Sequence, residues 1–305
     1  MAKAGDPRIG SLLDGSSTSP KKHRVAIIGY PCDEGVARNK GRVGARNGPA
    51  VMRARLPTTG TLVNPEWDFD ISCIDLQDKG DVELGSTLED THVNLESSVK
   101  KLLDEGYITI VVGGGNDQSY PNAKALMGSL ASGSVGVVNI DAHFDARPLI
   151  DGKAHSGSPF RQLLMDDQFS GNGKFFEFAS QGHQCSKDHA DFIKENGGEI
   201  IWLSEVQQST CSVSFSNVLN LFGSLPVFVS FDIDGIRGSD CPGVSCPGVV
   251  GITSEDALKI CFDSGKHQNT RLLDISEFNP DVESDRTARL VTAMIYFFLG
   301  GISKR

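Results

Sequence analysis

Two short segments concentrate acidic side chains where apolar runs end. In "NIDAHFDARP", Asp141, His143 and Asp145 occupy alternate positions directly after an apolar stretch, and in "SFDIDG" Asp232 and Asp234 do the same. Alternate positions on an extended backbone point to one side, so each segment would deliver its polar atoms to one place. Four aspartates gathered at buried strand ends cannot all stay ionised side by side, because like charge and lost hydration both favour the neutral acid. Divalent cations remove both problems. Carboxylate oxygens with one imidazole suit Mn²⁺ ahead of Mg²⁺, Fe²⁺ or Co²⁺, whereas a thiolate-rich tetrahedral set would suggest zinc. Four negative charges balance about two dications, and a water shared by two such ions becomes a nucleophile at neutral pH. The bland alternative has the aspartates capping turns and His143 satisfied in the core. It weakens because a third segment of the same kind, "GGGNDQSY" (113 to 120), ends another apolar run.

The triple glycine of that segment does not bind a nucleotide: the chain has neither the G-x-G-x-x-G pattern nor a phosphate loop with a following Gly-Lys-Ser/Thr. Glycine there lets the backbone turn close beside the acidic cluster.

Strands must bring these segments together. Eight runs read as strands: 24 to 30, 69 to 75, 107 to 115, 134 to 141, 174 to 179, 199 to 204, 226 to 234 and 271 to 277. Amphipathic stretches near 87 to 105, 120 to 131, 186 to 196, 253 to 263 and 285 to 299 read as helices between them. Continuously apolar strands separated by helices imply a mostly parallel sheet covered on both faces, an α/β three-layer αβα sandwich, in which ligands collect beyond the carboxyl ends of the strands. Residues 1 to 22 read as a flexible polar tail and 23 to 305 as one domain without an internal linker. The long irregular stretch 31 to 48, rich in Gly and Arg, is of a length that usually serves function.

The totals narrow the partner class. A formal charge of −10 over 305 residues argues against nucleic acid or an anionic membrane as the main partner and favours small molecules or cations. No stretch is apolar enough to span a membrane, and the first twenty residues do not form a secretory signal. Seven cysteines without a dense framework suit reduced thiols in the cytoplasm. The terminal Ser-Lys-Arg resembles the peroxisomal Ser-Lys-Leu address in part only, which leaves a peroxisome-like organelle open.

From about residue 25 to its end the sequence resembles the ureohydrolase (arginase) superfamily. The likeness is carried by "GVARNKGRVGARNGPAVMR", the glycine-rich segment, "DAHFD", "HSGSPFRQ", "SFDID" and "SEFNP", and within the superfamily it is most similar to formiminoglutamases. The resemblance implies an arginase-like catalytic domain and two Mn²⁺ ions. Asp141 and Asp232 would bridge them, Asp145 would complete one shell, and His143 and Asp234 the other. It further implies Glu277 as the carboxylate that holds the substrate's amidinium, His155 as a proton shuttle, a trimeric or hexameric assembly, and hydrolysis of N-formimino-L-glutamate to glutamate and formamide in histidine degradation.

One position departs from that pattern. Asn116 stands where the family places a histidine ligand, and a neutral carboxamide oxygen is a poorer donor to Mn²⁺ than imidazole. The metal site next to Asn116 is therefore expected to be the weaker of the two. Five of six ligands remain, and unpaired buried carboxylates would be costly to keep without ions. Arg147 continues the face of Asp145, and a planar guanidinium binds a carboxylate through two hydrogen bonds. That suits a dicarboxylate substrate and disfavours arginine itself, with Arg42 and Arg46 as alternatives for the same task. Cys32, Cys241 and Cys246 follow strands that end at the site, so a reversible disulfide from Cys32 to either of the others could gate it, against the reading of small buried thiols. An agmatinase-like or arginase-like guanidine hydrolase, and a catalytically silent relative with weakened metal binding, are the alternatives left open.

Overall fold

A computed structural model describes residues 6–305. Eight strands form one parallel sheet: β1 (His23–Tyr30), β2 (Ile74–Asp81), β3 (Ile108–Gly113), β4 (Gly136–Ile140), β5 (Lys174–Ser180), β6 (Glu199–Trp202), β7 (Val227–Asp232) and β8 (Thr270–Ser276). Their spatial order is β2-β1-β3-β8-β7-β4-β5-β6. Every residue of β3, β4 and β7 is buried, which requires cover on both sides of the sheet.

Alternation along each strand explains that cover. Val25 and Ile27 of β1, with Val229 and Phe231 of β7, join the apolar layer that contains helices Cys211–Leu221, Ser254–Lys266 and Arg286–Ile302. Ala26 and Ile28, with Phe228, face the opposite layer of helices Leu88–Asp104, Ser119–Gly128 and Lys187–Glu195. The period of two sends neighbouring side chains to opposite faces, so the chain forms the three-layer αβα sandwich expected from its pattern. Fully burying one such side chain contributes about 1.5–3 kcal/mol, so the continuous apolar runs specify the register strongly. No described helix is long and apolar enough to cross a membrane.

Three readings of the sequence need correction. The second strand is not 69 to 75 but Ile74–Asp81; Phe69–Asp70 instead pairs antiparallel with Val63–Asn64, and the Asp70 side chain accepts from the Ser72 amide to turn the chain. Strand β2 hid because it lies at the sheet edge, where charged residues such as Asp78, Lys79 and Asp81 are tolerated and protect against pairing with another chain. Within the expected flexible tail, Ile9 is fully buried and Leu12 nearly so, while Arg8 bridges Thr61. Two apolar side chains anchor that part of the tail, and its residues 1 to 5 lie outside the described region. The stretch 31 to 48 is not structureless: Glu34–Arg38 forms a short helix and Ala45–Asn47 a 3-10 turn.

Candidate metal centre

Four strands adjacent in the sheet, β3, β8, β7 and β4, end at the same edge, and each extends into one polar segment. Asn116 follows β3, Glu277 follows β8, Asp232 and Asp234 lie at the end of β7, and Asp141, His143 and Asp145 follow β4. The sheet order thus turns four separate stretches of sequence into one cluster.

Local turns aim the side chains. The Asp141 carboxylate accepts from the His143 amide at 2.7 Å, and Asp232 accepts from the Asp234 amide at 3.0 Å. The backbone after β4 therefore does not stay extended, as the alternation argument assumed; an aspartate-capped turn brings the three side chains to one side. Asp145 and Glu277 have φ of +44° and +65°. A non-glycine residue in that left-handed region stores on the order of 1 kcal/mol of strain, which neighbouring packing must offset. Two of the six such residues among those described lie in this cluster.

Ligating atoms of Asp141, His143 and Asp234 lie within 4.8 Å of one another, and so do those of Asp141, Asp145 and Asp232. Asp141 belongs to both groups, whereas Asp232 falls in only one at this spacing. His143 Nδ1 lies 3.3 Å from Asp141 and 3.3 Å from Asp234. Burial, then the charge of Asp234, pushes the Asp141 and Asp232 carboxyls well above the usual range, and burial raises Asp145 as well. The negative charge of Asp234 raises His143 against the opposing effect of its burial. One imidazolium cannot balance the five carboxylates of Asp141, Asp145, Asp232, Asp234 and Glu277. Asp234 Oδ1, in one of the two ligand groups, is also buried without a hydrogen-bond partner. Unbalanced charge and an orphaned oxygen are what a cation site leaves when its ions are set aside, so the residues fit hard divalent metal.

Asn116 is arranged differently from a ligand. Its Oδ1 accepts from the hydroxyls of Ser119 and Ser276, both at 2.9 Å, while its Nδ2 donates to Asp145 at 2.8 Å. The amide thus presents NH₂, not oxygen, to the cluster. Its backbone N–H donates to Glu277 Oε1 at 3.1 Å, which holds that carboxylate at the site.

His155 is held by the backbone around it. Its Nδ1 accepts from the Gly157 amide at 3.1 Å and its Nε2 lies 3.0 Å from the Pro148 carbonyl, an arrangement that suits the Nε2–H tautomer and engages both nitrogens with backbone groups. It is 1% exposed and pins the 148 to 157 loop.

A cleft of ≈180 Å³ opens onto the cluster, and Arg147 and Glu277 both line it. Arg42 and Arg46 do not. Arg42 offers its backbone amide to Ser245, and Arg46 lies 3.9 Å from Asp33. Cys32, Cys241 and Cys246 are all free thiols; the first two are buried and only Cys246 reaches the cleft. Burial pushes the Cys32 and Cys241 thiols up, away from the reactive thiolate. A wider cleft of ≈330 Å³ beside Trp202 and Gln181 holds no carboxylate.

Several participants escaped the sequence reading. Glu177 on β5 is fully buried, accepts from Asn139 at 2.9 Å, and through that amide reaches Asp141 at 3.4 Å. Asp274 on β8 gathers Ser119, Asn122 and the Phe231 amide; burial pushes its carboxyl up to about 6. A lone acid inside an otherwise apolar run, as in "KFFEFA" and "RLLDIS", is the signal that marks both.

The arginase-family model matches residues 23–300. The formimidoylglutamase of Aeromonas salmonicida is 33% identical over 283 residues, which cover 89% of this chain and 85% of that protein. The formiminoglutamase of Trypanosoma cruzi, solved with Mn²⁺, is 43% identical and superposes with a TM-score of 0.92 over 98% of this chain and 99% of that one. An asparagine-to-histidine variant of the same protein, also solved with Mn²⁺, matches with the same values.

Proposed function

This chain belongs to the arginase family, and from that premise we propose that it is a manganese-dependent hydrolase of N-formimino-L-glutamate, releasing L-glutamate and formamide. The observation that carries the reading is the convergence of five carboxylates and one imidazole at three adjacent strand tips, β8, β7 and β4, with Arg147 lining the cleft that opens onto them. Asp141, Asp145 and Asp232 would hold one ion, and Asp141, His143 and Asp234 the other. When bound, the dications supply Lewis acidity and a water acidic enough to attack at neutral pH.

The chain's own residues orient the substrate. The buried Glu277 carboxylate has one oxygen fixed by the Asn116 amide and the other unpartnered, which leaves it to receive the amidinium N–H groups. Arg147 lines the same cleft and would take a carboxylate of the substrate. Water adds at the formimino carbon, the bond from that carbon to the glutamate nitrogen breaks, and formamide leaves with the added oxygen. A guanidine substrate brings the same cationic head but only one carboxylate or none for Arg147 to bind, which weighs against the guanidine alternative.

Formamide and urea release should be measured with Mn²⁺ added, on formiminoglutamate, agmatine, guanidinobutyrate and arginine. Formamide from the first alone is the expected result. Urea from a guanidine without formamide would replace the reading, and a purified protein that takes up no metal would make it a silent relative.

Asn116 supports an asymmetric pair of ions. For its oxygen to face a metal beside Asp145, the amide must turn over and Ser276 must accept where it now donates, whereas the single Ser119 proton can go to Asp274 instead. That added cost weakens one site. Two unequal affinities are therefore expected in a calorimetric Mn²⁺ titration, and Asn116→His should tighten the weaker one by roughly tenfold, the lower end of what ligand-shell changes produce. Two equally tight sites in the unaltered protein would remove the asymmetry.

A further inference from the structure

We propose that Asn39 is a specificity-determining positioning residue, which holds the Arg147 guanidinium at the cleft so that the site selects substrates bearing a carboxylate. The inference rests on the amidine-hydrolase reading above and deepens it. Asn39 belongs to the long segment that follows β1, far in sequence from Arg147, and the two meet only because the fold lays that segment across the end of β4. Its Oδ1 accepts from Arg147 Nη1 at 3.3 Å, and its Nδ2 donates to Ser156 Oγ at 3.1 Å. Ser156 is anchored in turn by its own amide, which donates to the Gly35 carbonyl at 3.0 Å. Asn39, Arg147 and Ser156 all line the cleft that opens onto the acidic cluster.

Gly157 supplies the room. A Cβ at that position would come to 3.0 Å from both Arg147 Cδ and Asn39 Nδ2, so a larger residue would crowd the two side chains and push them aside by a few tenths of an ångström. The Gly157 carbonyl also accepts the Arg147 amide at 2.8 Å, which fixes the backbone from which the side chain starts. Among the described residues Arg147 forms no ion pair; its side-chain hydrogen-bond partner is the neutral Asn39. Its guanidinium therefore has no direct anionic partner, although its charge also acts on nearby Asp145.

The neutrality of Asn39 matters chemically. An amide oxygen can orient a guanidinium without cancelling it, whereas a carboxylate in its place would pair with Arg147 and compete with the ligand. The second amide arm, on Ser156, keeps the asparagine from rotating. A flexible arginine so held loses less freedom when a carboxylate docks.

The test uses the full chain loaded with Mn²⁺. Asn39→Ala should raise KM for formiminoglutamate about tenfold with kcat within about twofold, and should leave hydrolysis of N-butylformamidine, which has no carboxylate, unchanged. The isosteric Asn39→Asp should weaken binding of the dicarboxylate at least as much as Asn39→Ala, although it preserves shape. Binding of L-glutamate, read by calorimetry, measures the same effect without turnover. Equal losses on both substrates, or wild-type glutamate affinity in Asn39→Asp, would overturn the proposal. Glutamate binding that depends on Asn39 in a protein that does not turn over formiminoglutamate would support the clamp while overturning the reaction proposed for the site.

Discussion

Asp232→Asn is expected to lower formamide release by roughly 10³-fold or more, the scale of losing several kcal/mol of metal-derived stabilisation. The substitution keeps the shape and the acceptor that the Asp234 amide uses at 3.0 Å, so the turn after β7 should persist. What it removes is one of three carboxylates whose ligating atoms lie within 4.8 Å of one another, on Asp141, Asp145 and Asp232. A neutral amide there cannot balance a dication, and metal content of the purified variant should fall with activity.

The same variant separates metal binding from folding. Asp232 is 2% exposed, and its carboxyl is pushed upward first by burial and then by Asp234 and Asp141. Removing one charge from that group relieves repulsion, so the metal-free variant should melt no lower than the metal-free parent. The parent should gain when Mn²⁺ is added: at a hundredfold excess over its dissociation constant the ion contributes about 2.7 kcal/mol, a rise of about 4 °C for a chain of 305 residues. The variant should gain little. Melting curves with and without Mn²⁺, beside the product assay, decide the matter. A variant that binds Mn²⁺ and turns over like the parent would mean that Asp232 is not a ligand.

The parts of this site that sequence could reveal share one physical property, proximity in the chain. Asp141, His143 and Asp145 sit within five residues after an apolar run, and buried carboxylates in that context have few uses other than metal. The strand periodicity was equally legible where strands are buried on both faces, as in β3, β4 and β7. At the edge the same rule failed, because β2 needs no continuous apolar face and carries Asp78, Lys79 and Asp81 instead. What sequence could not show was orientation. Asn116 faces Asp145 with its NH₂ while its oxygen accepts from the Ser276 hydroxyl, 160 positions away. His155 spends both nitrogens on backbone groups, which no spacing discloses. The partnership of Asn39 with Arg147 spans 108 positions and exists only because the segment after β1 folds back over the end of β4.

Glu277→Gln is the complementary test, because it spares the ions and removes the group that would hold the substrate. The residue is 5% exposed, with a strained φ of +65°, and its Oε1 accepts from the Asn116 amide at 3.1 Å. Glutamine can keep that bond through its own oxygen, so the backbone after β8 has no reason to move. The other oxygen becomes an NH₂ group pointed at an amidinium that also carries only donors. A charge-assisted hydrogen bond worth about 1.5–3 kcal/mol is replaced by a donor-donor clash, and kcat/KM should fall about 100-fold or more. Burial, followed by the charge of Asp234, pushes the Glu277 carboxyl upward, so the neutral side chain should not destabilise the metal-free fold. Mn²⁺ content should stay near that of the parent, since Glu277 belongs to neither ligand group. Loss of activity with metal retained therefore assigns Glu277 to the substrate, whereas loss of both would assign it to the ions, and an unchanged kcat/KM would leave the amidinium without its anchor.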